Sequence, residues 1–132
     1  MDASVTAKWL LPDEEDEAGR ALLAQALSHT AHVPFIWSAE VANLLLMAER
    51  RGRVRQDERA NALALLHRLP VRIDEDGGDR LLTDVYSLAQ AQGLTIYDAL
   101  YLDLALRTSL PLASFDRALR RAAGQTGVVL LG

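Results

Sequence analysis

Four acidic residues far apart in the chain share one kind of local address: Asp2, Glu40, Asp98 and Asp116. Asp2 opens the first helical segment, and Glu40 falls in the first turn of the helix after an extended run at 32–35. Asp98 falls in the first turn of a helix begun by Thr95, and Asp116 directly follows the apolar run 111–115. In an open α/β sheet, the carboxyl ends of the strands and the starts of the next helices border a single crevice. Four carboxylates gathered there at ~4–6 Å would repel one another, raising some pKa values or demanding a cation. Hard oxygen donors suit a hard divalent ion such as Mg²⁺, which serves phosphoryl chemistry by polarising oxygens and activating water.

Each acid alone has an ordinary explanation. Helix starts favour Asp and Glu through capping and the helix dipole. Thr95-Ile96-Tyr97-Asp98 matches a capping box, and Asp116 is a plain N-cap. What caps do not explain is four of them at the same edge of one sheet.

Other reactive constellations are missing. There is no cysteine, so disulfides and thiolate metal sites are excluded. His29 and His32 flank a loop and His67 stands alone. No glycine-rich phosphate loop, no Gly-x-Ser-x-Gly elbow and only one lysine, Lys8, occur. Asp103 lies five residues past Asp98, about 140° round the helix, and reads as a solvated or supporting residue.

The elements that must position these groups follow from composition and pattern. Alanine and leucine supply 46 of the 132 residues against 11 valines and isoleucines, so helices should outweigh strands. Helices are expected at 4–11, 14–28, 38–51 (capped by Ser38), 54–69, 80–92, 95–108 and 116–123. Short strands are expected at 32–35, 70–74, 111–115 and 127–131, with a turn at 76–79. This alternation predicts one α/β domain over 1–132 with a parallel sheet. Asp2 sits where a first strand should end, yet only Met1 precedes it, so that strand needs further residues upstream of Met1.

The net charge is −4, unevenly spread: residues 1–49 carry −6 and residues 50–132 carry +2, with seven arginines between 50 and 72. Arg50, Arg51, Arg53 and Arg55 could track a nucleic-acid backbone, although a solvated face favourable to a helix C-terminus is the more ordinary reading. Arg117, Arg120 and Arg121 carry the same ambiguity. No apolar run reaches the ~18 residues a membrane span needs, and an acidic second residue is unlike a secretory leader. A cytoplasmic protein is the expectation.

The segments Asp2-Ala3-Ser4-Val5, Ser38-Ala39-Glu40-Val41-Ala42-Asn43, Tyr97-Asp98-Ala99-Leu100-Tyr101 and Ser114-Phe115-Asp116 occur in that order. Together they resemble the PIN domain, and within it the VapC-type toxins of toxin–antitoxin pairs, over nearly the whole chain. The resemblance implies a three-layer α/β/α sandwich with a parallel central sheet and an acidic pocket at the strands' carboxyl ends. It implies a Mg²⁺- or Mn²⁺-dependent ribonuclease that is a homodimer and is silenced by a cognate antitoxin. Asp2, Glu40, Asp98 and Asp116 would be the catalytic and metal-holding quartet, with Ser4 and Ser114 supporting. One departure is the first strand, which relatives build from several apolar residues before the first Asp. Two rival readings remain: a non-catalytic module whose acidic pocket binds a basic partner segment, and a phosphatase or receiver-like domain. The latter lacks an Asp-x-Asp after the first strand and a lysine near the last.

Overall fold

The computed structural model describes all residues, Met1–Gly132. Helix α1 (Ala3–Leu10) starts at Asp2, whose carboxylate accepts the Val5 N–H, and stops before Pro12. Helix α2 (Glu17–Ser28) starts at Asp16, which accepts the Gly19 N–H and pairs with Lys8. Strand β1 (Ala31–Pro34) leads into α3 (Trp37–Arg50), then α4 (Gln56–Arg68) and β2 (Val71–Asp74). A 3₁₀ turn (Asp76–Arg80), α5 (Asp84–Gln92) and α6 (Ile96–Thr108) follow. The chain closes with β3 (Leu112–Ala113), α7 (Arg117–Thr126) and β4 (Leu130–Leu131).

All strand pairing is parallel. β1 lies beside β2, from Ala31 opposite Val71 to Pro34 opposite Asp74, and β3 lies beside β4. The chain's first two residues bridge these two-stranded halves: the Met1 ammonium donates to the His32 carbonyl at 3.4 Å, and the Asp2 N–H to the Ala113 carbonyl at 3.0 Å. The two-stranded sheets β1–β2 and β3–β4 are thus joined through backbone only by these two residues. Helix α1 packs with α2 and α3, while α5 and α7 pack on α6. This is the expected α/β/α layering. Helix α6 is the spine: every residue from Ala99 to Ala105 is buried, as befits a helix covered on all sides. Leu102, Val33, Trp37, Leu112 and Leu119 belong to one central cluster that joins it to both sheet halves.

Local chemistry explains where the expected elements shift. Ser38 is not a cap: α3 begins one residue earlier, after Ile36, without any side-chain cap. The helix expected at 80–92 begins at Asp84, because residues 76–80 first form a 3₁₀ turn. Asp103 is not solvated. Its carboxylate is buried and gripped by Arg80 (2.9 Å) and Arg107 (2.7 Å), and Arg107 also reaches Asp74 at 2.7 Å. These four groups tie β2, the 3₁₀ turn and α6 together.

Removing one partner of a buried ion pair costs about 3–5 kcal/mol, because it strands a desolvated charge. In Asp103→Ala each arginine keeps another carboxylate, Asp84 for Arg80 and Asp74 for Arg107. The expected loss is therefore about 2–3 kcal/mol, read as a lower urea midpoint at unchanged m-value.

Candidate active site

Asp2 is the most rigidly held of the four acids. It is 4% exposed, and each of its oxygens accepts a serine hydroxyl at 2.6 Å, Oδ1 from Ser4 and Oδ2 from Ser114. The serines are themselves tied down. Ser4 Oγ accepts the Phe115 N–H at 2.9 Å, and Ser114 Oγ accepts the Asp116 N–H at 3.0 Å. Asp2, the start of α1 and the end of β3 thus form one hydrogen-bonded unit. Each serine's single proton goes to the same carboxylate, so Asp2 is held as an acceptor.

Asp116 caps α7 by accepting the Leu119 N–H at 2.8 Å, and Arg120 donates to the Ser114 carbonyl at 2.7 Å. Glu40 projects from the first turn of α3 and accepts the Tyr101 hydroxyl at 3.3 Å. Asp98 lies in the first turn of α6, where Thr95 Oγ1 accepts its backbone N–H. Glu40 and Asp98 are both half-buried.

The charges of these groups act on one another. Burial pushes the Glu40 carboxyl up from its ordinary value; the Tyr101 hydrogen bond opposes this, and the charges of Asp98 and Asp2 add to the rise. Burial likewise raises Asp98, with Asp116 and Asp2 adding to it and the Thr95 hydroxyl opposing it. Tyr101 is pushed well above the ordinary phenol range, first by burial and then by Glu40, Asp2 and Asp98. The Met1 ammonium, stripped of water beside Asp2, is lowered to about 6. All four acids expected from the sequence are therefore electrostatic neighbours at the strands' carboxyl ends. No lysine or arginine contributes to the shift of Glu40 or Asp98.

That donor set suits a hard divalent ion: oxygen ligands, excess negative charge and no lysine or arginine among them. In this conformation no three acidic or histidine side chains are close enough to hold one ion together. Asp2 is fixed, so gathering a ligand set requires movement of the half-exposed Glu40 and Asp98 side chains.

The four arginines of the expected RNA track are elsewhere. Arg50 and Arg51 end α3, ten and eleven residues past Glu40, which at 1.5 Å per residue is about 15 Å along the axis. Arg53 is bound to Asp13 (3.0 Å) and Glu14 (2.9 Å), and Arg55 to Asp57 (3.2 Å). Tyr101 is the supporting residue that the sequence did not assign. Its one signal is position, three residues after Asp98 and so on the same helix face.

Residues 1–125 match the PIN domain family. The chain is 34% identical over 119 residues to Ribonuclease VapC3 of Pyrobaculum aerophilum, a match covering 90% of this chain and 89% of that protein. It also resembles the crystal structure of PAE2754 from Pyrobaculum aerophilum, with a TM-score of 0.66 and 25% identity. That likeness covers 98% of this chain and 80% of the other.

Two outcomes follow from the geometry. Ser114→Ala leaves Asp2 Oδ2 and the Asp116 N–H without their shared partner, so a loss of about 1–3 kcal/mol is expected by denaturant unfolding. A carboxyl raised in the folded state binds more protons there than in the unfolded chain. For Asp98 and Glu40 the associated stability is present below their ordinary values, 3.8 and 4.5, and is lost as pH rises through and above them. In EDTA at pH 7, Asp98→Asn should therefore melt about 2–5 °C higher than the parent, a small gain because the site is partly wet. The gain should shrink toward pH 4.

Proposed function

The chain belongs to the PIN domain family, and from that premise we propose that it is a divalent-metal-dependent endoribonuclease, the toxin of a toxin–antitoxin pair. The observation that carries the reading is the raised carboxyls of Glu40 and Asp98, each within the charge field of Asp2, with no lysine or arginine to relieve them. The relative's name, Ribonuclease VapC3, supports RNA as the substrate. Asp2 and Asp98 would hold Mg²⁺ or Mn²⁺, with Glu40 and Asp116 binding directly or through water. When bound, such an ion supplies Lewis-acid charge to the scissile phosphate and lowers the pKa of water.

The chain's own residues do the rest. Ser4 and Ser114 fix the plane of the Asp2 carboxylate, so the least mobile ligand needs no reordering when substrate arrives. Tyr101 restrains Glu40 by its hydroxyl. Asp116 spends one oxygen on α7 and keeps the other for the crevice. Unoccupied, the four carboxylates repel phosphate, so cleavage depends on the cation by simple charge balance.

The same uncompensated charge supports a second reading, a pocket that accepts an arginine from a basic partner segment. An antitoxin using that contact would occupy the metal's place, so inhibition and catalysis share one site. We further propose a homodimer in the cytoplasm. No helix is long and apolar enough to cross a membrane.

Purified protein incubated with total RNA should yield discrete cleaved ends in Mn²⁺ or Mg²⁺ and none in EDTA. Asp98→Asn should lose ~100-fold or more of that activity while keeping its far-UV spectrum. Full cleavage by this variant refutes the assignment. Arg50→Ala and Arg51→Ala should each lower the salt dependence of RNA binding by about one ion if these residues meet phosphate. An unchanged slope assigns them to a solvated face.

A further inference from the structure

Helix α7 starts at Asp116, one of the four acids, and carries three arginines and no acid along its length. At about 100° per residue, Arg117, Arg120 and Arg121 fall within one arc of about 100°, opposite the buried Leu119, Ala122 and Ala123. They form a stripe on the outer face, with Arg117 and Arg121 exposed and Arg120 half-buried.

Stability does not account for this stripe. Cations are favoured at the end of a helix and disfavoured at its start, where these three stand. Six of the chain's thirteen arginines are paired with acids, and none of these three is among them. What they contact is backbone. Arg120 donates to the Ser114 carbonyl at 2.7 Å, and Arg121 donates to the Gln92 carbonyl, at the end of α5, at 3.3 Å. The first contact fixes α7 to the strand end whose serine holds Asp2. The second lays the stripe beside the loop that leads into α6 and Asp98. The charge of Asp116 acts on Asp98 across the same gap.

The stripe therefore borders the crevice without neutralising it, since no arginine contributes to the shift of Glu40 or Asp98. An acidic floor that takes a cation lies beside a basic rim, and a polyanion fits that pair. One phosphate can share an ion held by the acids. Its neighbours meet only the acids' repulsion unless cations of the chain receive them. Arg117 and Arg121 stand about 6 Å apart along the helix axis, a span that lets them reach successive phosphates of one strand. Arg50 and Arg51 differ: they stand at the far end of α3, where the dipole favours them for stability alone.

We propose that Arg117 and Arg121 hold the phosphates of the RNA strand on one side of the scissile position, with Arg120 fixing the helix that carries them. The identity of the polyanion rests on the nuclease reading. RNA is favoured over an acidic protein segment because its charges repeat at every residue. One strand can then meet the acids' ion and both arginines at once.

The test is binding of a short fluorescein-labelled single-stranded RNA to the intact protein in EDTA, where ion-dependent cleavage is off. The double variant Arg117→Ala/Arg121→Ala should bind ~10-fold or more weakly at low salt, with a salt slope smaller by about 0.7 for each phosphate lost. Arg117→Lys/Arg121→Lys should keep most of the slope, because an ammonium still meets phosphate as a point charge. Arg117→Ala alone should melt no lower than the parent, since a cation leaves the helix start. A lower Tm in that variant assigns the stripe to the fold and overturns the proposal. Unchanged affinity and slope in the alanine double overturn it too, as does an absence of RNA binding by the parent. So does tighter binding of poly-glutamate than of RNA, lost in the same double variant, which assigns the stripe to an acidic protein. Cleavage of total RNA by the parent in Mn²⁺ reports on the nuclease reading separately, so the two can fail independently.

Discussion

The carboxylate of Asp2 is the point on which the rest of the structure hangs. One oxygen is held by Ser4 two residues on, the other by Ser114 more than a hundred residues on. Through the same serines the backbone of Phe115 and Asp116 is drawn to the start of α1. The two sheet halves have no other backbone link than Met1 and Asp2. A buried carboxylate is costly unless its acceptors are satisfied, and here they are satisfied only when α1 and β3 are correctly docked. The group that a metal would use is thus also the group that reports assembly of the sheet.

Around that fixed acid the protein keeps an electrostatic imbalance. Glu40, Asp98 and Asp116 are brought near Asp2 without a lysine or arginine to offset them. Glu40 and Asp98 would each be better placed, for stability alone, on a solvated face. A cation bound by the folded state would relieve that cost, as the proposed function requires. Elsewhere the chain balances its buried charge closely: Asp103 and Asp74 are matched by Arg80 and Arg107 at 2.7–2.9 Å. One acidic cluster is thus neutralised within the chain, and the other has no lysine or arginine partner.

The same contrast sorts the arginines. Arg53 and Arg55 are engaged by neighbouring acids, and Arg53 fastens the loop after α3 to the loop after α1 through Asp13 and Glu14. Of the seven arginines between 50 and 72, three (Arg53, Arg55 and Arg59) are tied to nearby acids. Arg120 is the one arginine in contact with the Asp2 unit, and it reaches a carbonyl, not a carboxylate.

The order of helices and strands and the parallel pairing could be read from the chain, as could the four acids that the fold brings within reach of one another's charge. Alternating apolar runs and helix-start acids such as Thr95 with Asp98 are local signals, set by hydrogen-bonding reach within one turn. The late start of α5 and the absence of a cap at Ser38 escaped because 3₁₀ and α geometries differ little in local preference. The role of Asp103 escaped for another reason. Periodicity gives its angle on α6, but whether Arg80 covers it depends on where a segment 23 residues away comes to rest. Tyr101 against Glu40 and Ser114 against Asp2 are likewise pairs across 61 and 112 residues. Sequence determined which groups could do chemistry, because residue type and helix position are local. Only the tertiary structure decided which of them share a charge field and which are neutralised, because proximity between distant segments is a property of packing.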